Sequence, residues 1–322
     1  MATNLADAYA LGLDLGGTKI LAGLVDGDGR VHAEWRLPTP TEGGGAAILA
    51  ALVEGVGTLK AELSSEQRAR LIGVGVSSAG QVNHATGVVE YCTPNLPGWS
   101  GTPVVEALER AQGIRACADN DANCAAFGEY WVGAGKGVQN LVALTIGTGL
   151  GGGIIANGEL VRGARGGGAE IGHFLLVPDG LPCNCGQNGC IESYVSGTAL
   201  ARAAARSGHW TPSPSSHQIF EMARSGDAHA LGLVREMARN LAMGIVTIIA
   251  FLDPERIVVG GGVSEQADLF LPLVREQIPG LYGERGWDTS ALVPAALGPR
   301  AGMIGAAGQA LARFGAAKTA VC

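Results

Sequence analysis

Apolar residues fall along the chain in short runs separated by glycine-rich bends, and their spacing predicts an ordered series of strands and helices. Residues 11–31 read as two strands with a bend at Gly16-Gly17 and a second turn at Asp26-Gly27-Asp28-Gly29. Helical spacing follows over 46–63, then a strand over 71–76 that runs into Ser77-Ser78-Ala79-Gly80. A helix over 104–112 leads to a strand over 114–118 and on to Asn120-Asp121-Ala122-Asn123. Segments 197–207 and 219–252 are alanine-rich and helical, 257–259 is a short buried strand delivering Gly260-Gly261-Gly262, and 301–314 reads as a last helix. Strands alternating with helices in this way indicate an α/β protein.

The pattern also repeats. Residues 143–161 have the layout of residues 11–31: Leu15-Gly16 matches Ile146-Gly147, and Asp26-Gly27 matches Asn157-Gly158 at the same offset of 131. Each copy is a strand, a bend of small residues, a second strand and an Asx-Gly turn, which predicts two related halves facing one cleft. The division expected is a smaller α/β domain over 1–118, with a C-terminal helix at about 301–322 packing back on it, and a larger domain over 119–300.

Composition narrows the function. Aromatic content is 5% and the net charge is −7, so the chain lacks both the stacking platforms and the basic surface of a nucleic-acid binder. Residues 1–10 have neither the basic nor the apolar region of a signal peptide, and the mostly apolar stretch 241–252 is too short to span a bilayer. A cytoplasmic protein with reduced thiols is expected, which turns its clustered cysteines into metal candidates.

Three groups of residues carry chemistry. In Asp14-Leu15-Gly16-Gly17-Thr18-Lys19 the glycines bare backbone N–H groups to a phosphate, Thr18 and Lys19 add a hydroxyl and a charge, and Asp14 suits Mg²⁺. An ordinary hairpin turn has the same letters. The sequence lacks the Walker A spacing, and Gly147-Thr148-Gly149 precedes a strand rather than a helix, which favours a second phosphate clamp over a dinucleotide fold. Gly262 would give flat access to the adenosine end. Asp121 stands where a strand gives way to a helix, as a helix cap or as a carboxylate that takes a proton from a hydroxyl. His173, Cys183, Cys185 and Cys190 match a closed, tetrahedral, structural zinc site, flanked by Glu170 and Glu192, which are either surface charges or rigid acceptors for sugar hydroxyls.

Taken in order, LDLGGTK at Leu13–Lys19, DNDAN at Asp119–Asn123, TIGTGLGGG at Thr145–Gly153, and AEIGH followed by CNCGQNGCIE resemble the ROK family of repressors, open reading frames and sugar kinases. The resemblance implies an actin-like (ribonuclease H-like) two-domain ATPase fold with sugar and ATP meeting in the interdomain cleft. It implies a hexose kinase using ATP and Mg²⁺, glucose being the leading acceptor, with amino-sugar, mannose and fructose kinases as alternatives. It maps the catalytic base onto Asp121, sugar contacts onto Asn120, Asp121, Glu170, His173 and Glu192, and zinc onto the four residues already named. A homodimer or homotetramer is implied, with neither nucleic acid nor membrane as partner. A sugar-responsive repressor would need a DNA-binding module, and only ten residues precede Leu11; a non-catalytic sugar binder would have no use for Asp14, Lys19 and Asp121 together.

Two positions depart from the family's pattern. Ser77-Ser78-Ala79-Gly80 replaces a Gly-x-Pro-Gly turn, and Ala169 stands where many members carry glycine before the first glutamate. The added methyl should be tolerated unless that residue needs a positive φ.

Overall fold

The computed structural model describes residues 7–92 and 96–315. The first strands are β1 (Tyr9–Leu15), β2 (Lys19–Asp26) and β3 (Val31–Pro38), followed by helices α1 (Gly44–Glu62) and α2 (Ser65–Ala69). Next come β4 (Leu71–Ser78), the small hairpin β5 (Gln81–Asn83) and β6 (Val88–Tyr91), α3 (Val104–Gln112), β7 (Ala116–Asn120) and α4 (Asp121–Val132). A second series opens with β8 (Leu141–Ile146), β9 (Leu150–Ala156) and β10 (Glu159–Leu160), then helices α5 (Glu192–Val195), α6 (Gly197–Ser207), α7 (Ser216–Arg224) and α8 (Ala228–Leu252). It closes with β11 (Arg256–Gly260), α9 (Ala267–Tyr282), β12 (Leu292–Pro294) and α10 (Ala301–Gly315).

Two five-stranded sheets result, ordered β3-β2-β1-β4-β7 and β10-β9-β8-β11-β12. In the first, β2 is antiparallel to both β1 and β3, while β4 and β7 run parallel to β1. The second repeats that order, with β9 antiparallel to β8 and with β11 and β12 parallel to it. The repeat seen in the sequence is thus a repeat of topology. Leu15 pairs with Ile20 at the first hairpin and Ile146 with Leu150 at the second, whose loop is one residue shorter.

The chain forms two compact units. One runs to Lys136 and takes back Leu160–Ala169 and the chain from Arg300 on; the other holds Gly137–Glu159 and Glu170–Pro299. The boundary expected at 118/119 therefore moves. α4 stays in the first unit because it packs on α10, closely enough that a side chain at Gly128 would meet the carbonyl of Ala301 at 2.6 Å. The last helix lies in the first unit as far as Gly315, and the rest of the expected 301–322 helix falls outside the described residues.

Inside the first unit, one face of the sheet is covered by α1 and α3. α1 presents Ile48, Leu52, Val56 and Leu59 at helical spacing to Leu11, Leu13, Val74 and Val76. Fully burying each such side chain stabilises the fold by about 2 kcal/mol. Among the described residues, Thr41–Glu62 is the one helical segment long and apolar enough to cross a membrane by length and composition. Its apolar count is mostly alanine and glycine, and its large side chains lie in the core. The other face is covered by α10, which sits directly on the strands: side chains at Gly12 and Gly75 would strike the carbonyls of Met303 and Ala306. In the second unit, α8 buries Leu241, Ala242, Ile245, Ile248 and Ile249 against Val142, Leu144, Ile257 and Val259, with α9 beside it adding Phe270 and Val274.

Candidate active site

In the first unit the parallel strands β1, β4 and β7 end side by side. Asp14 pairs with Ser77 and Ser77 with Asp119; one residue on, Leu15, Ser78 and Asn120 lie abreast. The carboxyl ends of parallel strands are the usual ligand edge of open α/β sheets. Gly16, Gly17, Thr18 and Lys19 form the exposed tip beyond β1, closed by the Gly16 N–H donating to the Lys19 carbonyl at 3.0 Å and by Thr39 Oγ1 donating to the Gly16 carbonyl at 2.8 Å. Asp14 is half-buried and accepts a hydrogen bond from Ser77 Oγ. Burial pushes its carboxyl above the usual carboxylate range, and the Ser77 hydroxyl pulls partly back. A side chain at Gly302 would press within 2.7–2.9 Å of the Asp14 carboxylate, so glycine there keeps α10 against it.

The DNDAN segment divides its tasks among neighbours. Asp119 is buried and accepts from Arg162 Nε at 2.7 Å, from Asn123 Nδ2 at 3.0 Å and from the Asn120 N–H at 2.9 Å. Asn120 is the N-cap of α4: its Oδ1 accepts from the N–H groups of Ala122 and Asn123, at 2.9 and 3.2 Å, while its Nδ2 donates to the Gly80 carbonyl at 2.9 Å. Asp121 is the first helical residue, with an exposed carboxylate that accepts from the Ala122 N–H at 2.9 Å. The capping role open to Asp121 in the sequence belongs to Asn120. The departing Ser77-Ser78-Ala79-Gly80 turn supports the same place, since Ser78 Oγ accepts from Trp99 Nε1 at 2.9 Å and Gly80, at φ +95°, turns its carbonyl to Asn120.

In the second unit, Gly147 and Thr148 line a cavity of about 350 Å³ together with Gly262, Ser216, His217 and Gln266. That volume lies in the range of small-molecule sites, about 300–1,000 Å³. The Gly147 carbonyl is tied to the Gly197 N–H at 2.8 Å, so the hairpin tip is fixed to the start of α6. Gly149 lies away from the cavity, against Glu192, where a side chain would collide with Oε2. Glu192 Oε2 also accepts from the Leu150 N–H at 2.9 Å, which locks this carboxylate to the hairpin.

Glu170 is exposed beside that pair. Desolvation pushes its carboxyl up, the His173 ring opposes this, and the Glu192 charge adds to it. Ala169, just before it, has φ +65°, so the condition set for tolerating its methyl group is not met. The donor atoms of His173, Cys183, Cys185 and Cys190 all lie within 4.8 Å of one another. His173 Nδ1 is 3.7 Å from Cys183 Sγ, and Cys185 Sγ is 3.6 Å from Cys190 Sγ. Ligands at about 2.0–2.3 Å from a tetrahedral zinc stand about 3.3–3.8 Å apart. The donor set fits that ion, and the sulfur separation excludes a disulfide.

Each unit thus gathers part of the predicted set: Asp14, Gly16 to Lys19, Asn120 and Asp121 in the first; Gly147, Thr148 and Gly262, and separately Glu170, His173, Glu192 and the cysteines, in the second. Sequence reading named Ser77 only as part of a turn, without its bond to Asp14, and passed over Arg162, Ser216, His217 and Gln266. Segment 211–216 reads as a plain surface loop, yet Ser215 and Gln218 form a capping box that opens α7 on the cavity, and that S-x-x-Q spacing was the available signal.

Two sheets of one order, each opening on a glycine-tipped hairpin, define the actin-like class of α/β ATPase folds. The ROK family model matches residues 10–313. A glucokinase of Streptomyces coelicolor is 38% identical over 317 residues, covering 92% of this chain and 96% of its own. An N-acetylmannosamine kinase of Haemophilus influenzae is 33% identical, covering 92% and 93%. Among solved structures, the ROK hexokinase of Thermus thermophilus superposes with a TM-score of 0.81 at 34% identity, covering 95% of this chain and 98% of that one. A ROK family glucokinase from Streptomyces griseus in complex with glucose and AMPPNP gives 0.78 at 36% identity, covering 93% and 98%. The chain belongs to the ROK family.

Proposed function

We propose that this protein is an ATP-dependent hexose kinase that converts glucose to glucose 6-phosphate. The observation that carries the reading is Asp121: an exposed carboxylate at the carboxyl edge of the β1–β4–β7 sheet, relieved of helix capping by Asn120. Asp121 accepts the proton of the sugar hydroxyl as its oxygen attacks the γ-phosphorus; the bond from that phosphorus to the β-phosphate oxygen breaks and ADP leaves. Asn120 Oδ1 caps the helix and one Nδ2 N–H is held by the Gly80 carbonyl, so Asn120 fixes the peptide on which Asp121 rides while its second Nδ2 N–H serves a sugar hydroxyl. Glu170 and Glu192, with His173, hold sugar hydroxyls.

The glycine-tipped hairpins at Gly16 to Lys19 and at Gly147 to Gly149 each contribute to phosphate binding, the Gly16 and Gly147 N–H groups closing their own turns, and Gly262 borders the nucleoside. Asp14 would hold Mg²⁺, which neutralises charge on the phosphate oxygens when bound. His173, Cys183, Cys185 and Cys190 would hold zinc, which fixes the loop between Glu170 and Glu192 and performs no chemistry. A cytoplasmic homodimer or homotetramer is the form inferred from the family resemblance.

An N-acetylmannosamine kinase is the second reading, favoured by a relative 33% identical over nearly the whole chain. The test is ATP consumption by purified protein against a panel of hexoses and amino sugars. Glucose should give the highest kcat/KM; a preference for N-acetylmannosamine transfers the assignment, and turnover with no sugar overturns it.

A further inference from the structure

We propose that Gln266 recognises the nucleoside of the phosphoryl donor through a hydrogen bond that its amide donates, and that Arg224 and Asp268 hold the amide in that orientation. The proposal rests on the kinase reading above. Gln266 ends the short helical turn Gly262–Gln266 that follows β11, and it lines the same cavity as Gly147, Thr148 and Gly262. Arg224, the last residue of α7, reaches its side chain with Nε at 3.2 Å and Nη2 at 3.1 Å from Gln266 Oε1. The same guanidinium forks onto Asp268, with Nη1 at 2.6 Å from Oδ2 and Nη2 on Oδ1.

A guanidinium carries donors and no acceptor, so the amide atom that faces it must be the oxygen. Two donors on Oε1 occupy both of its lone pairs. What remains to Gln266 is Nε2, which has two N–H groups and no acceptor. The ligand atom it meets must therefore be an acceptor, namely N1 of adenine, the ring nitrogen that carries N–H in the hypoxanthine of ITP. A base with N–H at that position would set donor against donor. The Arg224–Asp268 pair is exposed, so its contribution is to orientation rather than to stability. Gln266 is thus a specificity-determining residue and Arg224 a positioning residue.

Steady-state kinetics at saturating sugar, with ATP and ITP as donors, test this. Gln266→Ala should raise the KM for ATP about fivefold, the effect of one neutral hydrogen bond, with kcat and the KM for sugar within twofold of wild type. Gln266→Glu keeps an acceptor for Arg224 but has no donor, so it should resemble Gln266→Ala; a merely structural glutamine would be rescued by it. Arg224→Met lets the amide turn over and should reduce the preference for ATP over ITP. A KM for ATP within twofold of wild type in Gln266→Ala, or wild-type behaviour of Gln266→Glu, overturns the proposal. If the wild-type protein consumes ATP with no sugar, the kinase reading fails instead, and titration calorimetry of ADP into wild type and Gln266→Ala then decides the role of Gln266.

Discussion

At the scale of single residues, the chemistry depends on how neighbours share tasks that look interchangeable in the sequence. Asn120, Asp121 and Asn123 could each cap a helix by composition alone; backbone geometry gives the cap to Asn120, a buried bond to Asn123 and the solvent edge to Asp121. Asp121→Asn should therefore lower kcat by about 10²–10⁴-fold, the range for losing a general base, while the unfolding midpoint barely moves. The KM for sugar should change less than kcat, because an amide still bonds a hydroxyl. Kinetics beside a denaturation curve check this, and near-normal turnover would assign the base elsewhere. Ala169 makes a second case. An alanine held at φ +65° carries strain of about 1–2 kcal/mol, whereas glycine costs about 0.5–1 kcal/mol in unfolded-chain entropy, so the strain outweighs the entropy. Ala169→Gly should raise stability by about 0.5–1 kcal/mol in chemical denaturation, and an unchanged or lower value would mean the strain is relieved within the loop.

At the scale of elements, what was legible in the sequence is what depends on local pattern. Helix α3 falls at the residues its spacing predicts, and the hairpins at Gly16 and Gly147 follow from the alternation of apolar and small residues. The candidate metal loop is also local, because the donor atoms that come together span His173 to Cys190 and glycines bend it: Gly189, at φ +85°, would drive a side chain into the Val177 carbonyl. What was not legible depends on distant pairs. Arg162 meets Asp119 across 43 residues, and Ser77 meets Asp14 across 63, so no window of sequence contains either contact. The loop yields a prediction of its own. Cys185→Ser removes one of four ligands, so elemental analysis should fall from about one zinc per chain toward zero. Sugar affinity should weaken with it, since Glu170 and Glu192 flank the loop; full activity in metal-depleted protein would refute a structural zinc.

At the scale of the whole molecule, the 52 glycines have a physical explanation that composition alone does not supply. Many are packing residues rather than turn residues. α10 lies in the first unit with Gly12 and Gly75 of the sheet beneath it and α4 alongside, and at Gly305 a side chain would strike the carbonyl of Cys124. This seam explains why the first unit holds α4 and the end of the chain, where the sequence reads as dividing at 118/119. It also reverses the usual sign of a helix substitution. Alanine in place of a helical glycine ordinarily stabilises by about 0.5–1 kcal/mol, and Gly232 of α8, exposed with nothing within 4 Å of where a side chain would begin, should behave so. Gly305 sits in the same kind of backbone but faces a carbonyl that cannot rotate away, so overpacking of about 1–3 kcal/mol or more acts against the helix gain. Gly305→Ala should lose about 2 kcal/mol in chemical denaturation while Gly232→Ala gains. Equal signs for the two would show that α10 can shift against α4, and the glycine seam would then not be what holds the two helices together.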